Sequence, residues 1–175
     1  MNLEEECLKE ARFYQRQFPS VTALSSKDLL RNFPHDTYQI VDCRSAAERA
    51  VATITGARSD VSPDIPVVIC YCTIGYRSGL EARRLQRTHP DWTVYNLDGI
   101  VAFSHAVQPT DSLQLVNGNG QSADTIHTFA GSWNFIDQEK FHATSFRLVE
   151  LPARFVQVGM VSVLRALQHL FSCCC

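Results

Sequence analysis

Residues 67–78 of the chain have the sequence VVICYCTIGYRS, and this stretch decides the fold. An apolar, β-favouring run ends at Cys72, a short loop follows, and Arg77 opens a polar, helix-favouring segment. Gly75 permits a tight backbone turn, and the loop N–H groups and the following helix N-terminus can face an anionic sulfur. The pattern therefore predicts an anion-binding loop in which Cys72 is the nucleophile.

The spacing between the cysteine and the arginine narrows the choice of anion. Four residues separate Cys72 from Arg77. Cysteine phosphatases, which form a phosphocysteine, have a loop that is one residue longer and wraps a tetrahedral phosphate. The shorter loop resembles the active-site loop of single-domain rhodaneses, the sulfurtransferases that carry a cysteine persulfide. The resemblance implies that the anion-binding loop consists of Thr73, Ile74, Gly75, Tyr76 and Arg77.

Other segments resemble this family in the same order, over roughly residues 20–107. The resemblance implies an α/β fold, and it implies that Asp42 and Arg44 help to position the loop. From the residues alone, this Asp-x-Arg after a strand is equally a helix cap with a surface ion pair. The matching segments are residues 39–44, 45–49, 53–57 and 94–103.

Several positions depart from the family pattern. Thr53 and Thr55 stand where the family has histidine and proline, Asp98 replaces a glycine, and Phe103 replaces a tryptophan. Residues 58–65 leave little room for the helix that commonly precedes the catalytic strand in this family. Either a short connection replaces that helix, or the core is a trimmed variant.

Short apolar segments alternate with helical patterns along the chain. One helix is predicted over residues 3–17 and another from Ser26 onward. This alternation predicts an α/β fold with a mainly parallel sheet covered by helices on both faces, and catalytic residues at the carboxyl ends of the strands. Strands are predicted at residues 21–23, 38–41, 67–71 and 94–97.

The length and composition suit one domain with an appendage. With 175 residues, of which 45% are hydrophobic, the chain can bury one full core. The predicted division is an N-terminal helix at 1–19, a rhodanese-like domain at 20–107, a hairpin-containing extension at 108–154, and an amphipathic helix with a cysteine tail at 155–175.

Charge and cysteine usage limit the classes of function. The formal net charge of -2 argues against a nucleic-acid-binding surface. The acidic N-terminus does not resemble a secretory signal, so the expected location is the cytoplasm. The seven cysteines form no readable disulfide framework, and the six histidines are isolated. We therefore expect no metal and no other cofactor.

Two features near the loop have more than one interpretation. Strand alternation is expected to bury Cys70 as a small apolar residue, although its spacing to Cys72 also suggests redox pairing. The helix after the loop carries further arginines. These form either a positive rim that attracts thiosulfate, a persulfide donor or an RNA acceptor, or an ordinary solvated helix face. The arginines beyond the loop are Arg83, Arg84 and Arg87.

Beyond residue 107 the resemblance stops. Residues 113–116 and 125–129 favour strands, and the turn-rich residues 117–120 between them predict a β-hairpin. Large aromatic side chains further on predict that this extension folds back on the main domain, where it either covers the mouth of the active site or simply packs. These aromatic residues are Trp133, Phe135, Phe141 and Phe146.

The C-terminal residues 155–171 combine apolar positions with a narrow polar stripe at helical spacing. The stretch is short and polar for a membrane span, so an amphipathic helix on a membrane surface is one interpretation and a helix docked on the domain is the other. Membrane association would be strengthened by lipidation of the adjacent terminal cysteines. Those candidates are Cys173, Cys174 and Cys175.

The predicted function is sulfur transfer. A sulfane sulfur passes from a small-molecule or protein donor, such as thiosulfate, to Cys72, and then to a thiol or cyanide-type acceptor. The alternative is a non-catalytic or regulatory rhodanese module that its terminal segment tethers to a membrane or partner. A cysteine phosphatase or arsenate reductase is disfavoured by the loop length.

Overall fold

A computed structural model describes residues 2–33, 37–147 and 150–151 of the chain. Over these ranges, short strands alternate with helices as the sequence predicts. The strands are β1 (Thr22–Leu24), β2 (Gln39–Asp42), β3 (Thr53–Ile54), β4 (Val67–Tyr71), β5 (Thr93–Leu97), β6 (Leu115–Val116), β7 (Thr125–His127) and β8 (His142–Thr144).

The starts of the first three α-helices follow from local capping signals. The side chains of Asn2, Ser25 and Ser45 each accept a hydrogen bond from a backbone N–H of the first helical turn, which satisfies donors that have no partner within the helix. At Ser45 the carboxylate of Glu48 also accepts from the cap backbone and completes a capping box. The α-helices are α1 (Leu3–Gln15), α2 (Ser26–Asn32), α3 (Ala46–Val51), α4 (Tyr76–Thr88) and α5 (Ile100–Ala106), and Gly131–Trp133 forms a short 3₁₀ helix.

The main sheet has four strands in the order β1-β5-β4-β2, and all three pairings are parallel. Helices flank this sheet, and α4 connects the neighbouring strands β4 and β5. The prediction of an α/β fold with a mainly parallel sheet is therefore confirmed. Because β4 lies inside the sheet, the loop that follows it starts from the centre of the carboxyl edge.

Strand β4 forms the middle of the core. Its residues from Val68 to Tyr71 are buried, and the neighbouring β2 is buried over its whole length. A continuous apolar run of this kind is typical of a parallel strand covered on both faces. The predicted burial of Cys70 is confirmed, since its side chain is 0% exposed.

The connection before β4 contains no helix, as the length of residues 58–65 predicts. The side chain of Gln39 holds this connection in place. Its amide nitrogen donates to the carbonyls of Ser62 at 2.8 Å and Ile65 at 2.6 Å, while its amide oxygen accepts from Ser62 N–H. A short irregular segment, fixed by one buried glutamine, takes the place of the helix.

The predicted hairpin between residues 113–116 and 125–129 is wrong. Strand β6 pairs antiparallel with β3, and β7 pairs parallel with β8, which the sequence did not predict. The intervening turn does form, but it closes only a single bridge between Val116 and Ser122. Turn and strand propensities depend only on neighbouring residues. The strand with which β6 pairs depends instead on which strand lies close enough to bury Leu115, and that strand is β3.

The predicted amphipathic helix and cysteine tail lie outside the described residues. In the part of the chain that the structure describes, no helix is both long enough and apolar enough to cross a bilayer.

Candidate active site at the carboxyl end of the central strand

Cys72 is the first residue after β4, and its side chain is held inside the loop. Its Sγ accepts a hydrogen bond from the N–H of Gly75 at 3.2 Å and from the hydroxyl of Ser78 at 3.4 Å. Gly75 is the residue before α4, and its φ of +93° is one that glycine adopts without strain. The sulfur therefore lies against the N-terminus of α4, where a negative charge is favoured.

The segment after β5 holds the loop from the other side. The carbonyl of Cys72 accepts from Ile100 N–H at 2.9 Å, and the amide of Asn96 donates to the carbonyl of Gly75 at 2.9 Å. Gly99 packs so closely that a Cβ there would overlap the carbonyl of Thr73. Asn96 and Gly99 were not among the predicted site residues. The signal in the sequence that could have identified Gly99 is a glycine directly before the start of a helix.

Arg77 forms an ion pair with Glu48. Its Nη1 donates to Oε2 at 2.8 Å and its Nη2 to Oε1 at 2.7 Å, while Nη2 also donates to the hydroxyl of Thr73 at 2.9 Å. Burial favours the neutral carboxylic acid, but hydrogen bonds and charge from Arg77, together with Ser45, outweigh it and lower the pKa of Glu48 to about 2. The positive charge of Arg77 is therefore neutralised by the Glu48 carboxylate.

Glu48 is a site residue that the sequence reasoning missed. The sequence places it only within the matching segment 45–49, because its role depends on meeting Arg77 in space. Binding of a substrate anion by Arg77, which the sequence predicts, remains a prediction.

Asp42 and Arg44 form a buried ion pair at the end of β2. The guanidinium Nε and Nη2 donate to the two carboxylate oxygens at 2.9 and 2.7 Å, and both side chains are 0% exposed. The hydroxyl of Tyr71 also donates to Asp42, and Thr53 donates to it at 3.0 Å. The pair thus ties the ends of β2 and β4 together, and it does not form a surface ion pair.

Three cysteines lie on, or directly after, the neighbouring strands β2 and β4. Val41 pairs with Cys70 in the parallel register, and the N–H of Cys43 donates to the Tyr71 carbonyl at 2.9 Å. Alternation along the strands therefore directs Cys43, Cys70 and Cys72 toward one face of the sheet. A hydrogen bond with Cys70, together with burial, raises the pKa of the Cys43 thiol well above its ordinary value.

The extension packs against the loop region through Phe129. The Arg77 guanidinium carbon lies 4.9 Å from the centre of the Phe129 ring, and Phe129 is 1% exposed. Its φ of +66° is unusual for a residue other than glycine. Trp133 stacks at an angle on Phe129 and continues to Tyr14 of α1. The extension therefore covers the arginine side of the loop.

Across the described ranges, no three His, Cys, Asp or Glu side chains are grouped so that they could hold a metal ion.

Comparisons with known proteins identify a similar solved structure. No protein-family model matches the chain, and no curated protein sequence matches it either. Among solved structures, the chain is similar to the crystal structure of a thiosulfate sulfurtransferase from Pseudomonas aeruginosa, with 19% sequence identity and a TM-score of 0.48. The alignment covers 70% of this chain and 24% of that protein, so the chain spans about a quarter of its length.

Proposed function

We propose that this chain is a rhodanese-like sulfurtransferase that carries a sulfane sulfur on Cys72. The observation that carries the proposal is the position of the Cys72 Sγ, which accepts hydrogen bonds from Gly75 N–H and Ser78 hydroxyl within a loop of four residues before Arg77. Donors arranged in this way favour the thiolate and then a terminal persulfide anion, since both carry their charge on sulfur.

The reaction has two half-steps. The Cys72 thiolate attacks the outer sulfur of thiosulfate, so a sulfur–sulfur bond to Cys72 forms, the sulfur–sulfur bond of the donor breaks, and sulfite leaves with the electron pair. A thiolate or cyanide acceptor then attacks the outer sulfur of the persulfide, and the Cys72 thiolate leaves. Each half-step conserves charge and needs no separate general base once the thiolate is formed.

The ion pair between Arg77 and Glu48 gives Arg77 a positioning role in this mechanism. Both of its terminal nitrogens donate to the carboxylate, and one also holds Thr73 of the loop. The charge that favours the sulfur anion therefore comes mainly from the loop N–H groups and the N-terminus of α4. The loop length supports a sulfur substrate, because a loop with one residue less than a phosphatase loop makes a smaller cradle.

A second candidate is a regulatory rhodanese module that does not transfer sulfur. It is favoured by the burial of Cys72, which is 1% exposed, and by the packing of Phe129 on Arg77. A donor reaches the sulfur only if the loop or the extension opens locally, so a module that stays closed would recruit partners without catalysis.

Intact-protein mass spectrometry after incubation with thiosulfate separates these two functions. We expect the protein to gain the mass of one sulfur atom, and to lose it again when cyanide is added. Cys72→Ser should abolish the gain, whereas the matched variant Cys70→Ser, at the buried neighbouring thiol, should retain it. A full gain of sulfur in Cys72→Ser, or no gain in the unaltered protein, would overturn the proposal.

A further inference from the structure

An open groove of about 600 Å³ lies between the segment that follows β2 and the outer side of α4. Cys72 does not line it, so the groove is separate from the sulfur site, although the two share Arg77. Guanidinium groups dominate its lining, and we call it the arginine groove. The arginines that line it are Arg44, Arg49, Arg77, Arg83, Arg84 and Arg87.

The positive charge of the arginine groove is only partly balanced. Carboxylates pair with three of its arginines, as Asp42 does with Arg44, Glu48 with Arg77 and Glu81 with Arg84. The remaining three have no carboxylate partner within residues 2–33, 37–147 and 150–151. The chain as a whole has a formal net charge of -2, so this excess of positive charge is local. The unbalanced side chains are those of Arg49, Arg83 and Arg87.

A buried donor in the lining also lacks a partner. The side chain of Arg44 is 0% exposed, and its Nη1 makes no hydrogen bond with any described residue, although Nε and Nη2 are both bonded. A buried N–H without a partner is unfavourable, and a ligand oxygen in the groove is an acceptor that could satisfy it. The groove thus combines positive charge that no carboxylate balances with a lining residue, Arg44, that has an unsatisfied donor.

We propose that the arginine groove binds a small, multiply charged, phosphate-bearing anion. Guanidinium groups hold phosphate oxygens through paired N–H donors, and several arginines at one place favour a ligand with several negative charges. The volume lies within the range of about 300–1,000 Å³ that is usual for small-molecule sites. The proposal is independent of sulfur transfer, because it concerns binding at a surface that excludes the reacting sulfur.

Titration with inorganic tripolyphosphate tests the proposal. Binding is measured calorimetrically at constant ionic strength on the full chain and on Cys72→Ser, so that failure of sulfur transfer does not affect the result. We expect saturable binding with one site per chain in both proteins. The absence of saturable binding would overturn the proposal.

Two matched double variants show whether the groove is the site. Arg83→Gln with Arg87→Gln removes two exposed groove charges, and we expect binding to weaken by about tenfold or more. Arg12→Gln with Arg16→Gln removes two exposed charges from the C-terminal end of α1 and the residue after it, neither of which lines the groove, and binding should be unchanged.

Equal weakening in both double variants would show non-specific attraction and contradict the proposal. An RNA oligonucleotide or an acidic peptide that binds through Arg83 and Arg87 more tightly than tripolyphosphate would overturn the assignment to a small anion, because the ligand would then be a macromolecule. Thermal melting of each variant establishes that it is folded before binding is compared.

Discussion

Arg77 and Glu48, which are 29 residues apart in the sequence, form a two-point ion pair with nitrogen–oxygen distances of 2.8 and 2.7 Å. Glu48 is fully buried, and the Arg77 side chain is 10% exposed. The pair connects α3 to the first turn of α4 and so holds the end of the Cys72 loop. Its effect on the fold can be measured separately from its effect on the chemistry.

We expect Glu48→Gln to lower the free energy of unfolding by about 2–4 kcal/mol at pH 7, because it leaves a largely buried guanidinium without its counter-charge. The pKa of Glu48 is about 2 in the folded protein, against an ordinary value of 4.5. A carboxyl with a lowered pKa stabilises the fold above pH 4.5, and that stabilisation is lost as the pH falls toward 2.

Urea unfolding at a series of pH values below 7 measures this effect. The loss of stability on acidification should be smaller in Glu48→Gln than in the unaltered protein. Glu81→Gln is the control, because Glu81 also pairs with an arginine but on the surface of α4, and it should change stability by less than about 1 kcal/mol. Equal effects of the two variants would contradict the importance of the buried pair.

Gly99→Ala should displace the Cys72 loop. A Cβ at Gly99 would overlap the carbonyl of Thr73, and the φ of +107° is also unfavourable for alanine. Gly120→Ala is a matched control, because Gly120 also has a positive φ of +76° but has open space around its Cβ position. We expect Gly120→Ala to cost about 1 kcal/mol or slightly more, and Gly99→Ala to cost more and to reduce sulfur transfer at least tenfold.

The rate of thiocyanate formation and the free energy of unfolding are measured for Gly99→Ala, for Gly120→Ala and for the unaltered protein. If Gly99→Ala kept full activity, the close contact between Gly99 and the loop carbonyl would not be needed for catalysis.

Asp98 should make the protein more stable at mildly acidic pH. Burial raises the pKa of Asp98 to about 6, although the backbone N–H and the hydroxyl of Ser26 both donate to it. A carboxyl with a raised pKa stabilises the fold fully below its unfolded value of about 3.8, and this stabilisation is lost as the pH rises through 6. We therefore expect Asp98→Asn to remove a decline in stability between about pH 4 and pH 6.

Thermal melting across this pH range tests the prediction, with Asp91→Asn at an exposed position as the control. A decline that persists in Asp98→Asn would show that another group is responsible for it.

Loop length should separate sulfur chemistry from phosphorus chemistry. We expect the unaltered protein not to hydrolyse an aryl phosphate, and a glycine inserted between Cys72 and Arg77 to reduce sulfur transfer while improving the binding of phosphate or arsenate. The same insertion in the exposed turn after Asn119 should leave sulfur transfer intact. Substantial phosphatase activity in the unaltered protein would show that loop length does not select the substrate.

The terminal cysteines are expected to anchor the chain only when they carry lipid. One acyl chain holds a protein marginally and two hold it stably, at about 0.8 kcal/mol for each buried methylene. Cell fractionation of the full chain and of a variant with serine at Cys173, Cys174 and Cys175 should show a loss from the membrane fraction in the variant. A full chain that carries no thioester-labile lipid would contradict this prediction.

Strand β4 and its loop could be predicted from sequence because their signals are local. The run from Val67 to Tyr71 is apolar and β-favouring, so its bounds were predicted to the residue, and Gly75 marks the turn that follows. The position of Cys72 at the carboxyl edge follows from these two facts alone. Capping residues such as Ser45 act in the same way, since their partners lie within one helical turn.

The partners of these elements were decided only by the tertiary structure. Whether Arg77 binds a substrate anion or a carboxylate depends on the distance to Glu48, and the pairing of β6 with β3 depends on which sheet edge lies beside Leu115. The raised pKa of Asp98 likewise requires its burial. Sequence patterns determine the conformation of neighbouring residues, whereas charge compensation, strand partners and desolvation arise from contacts between segments that folding brings together.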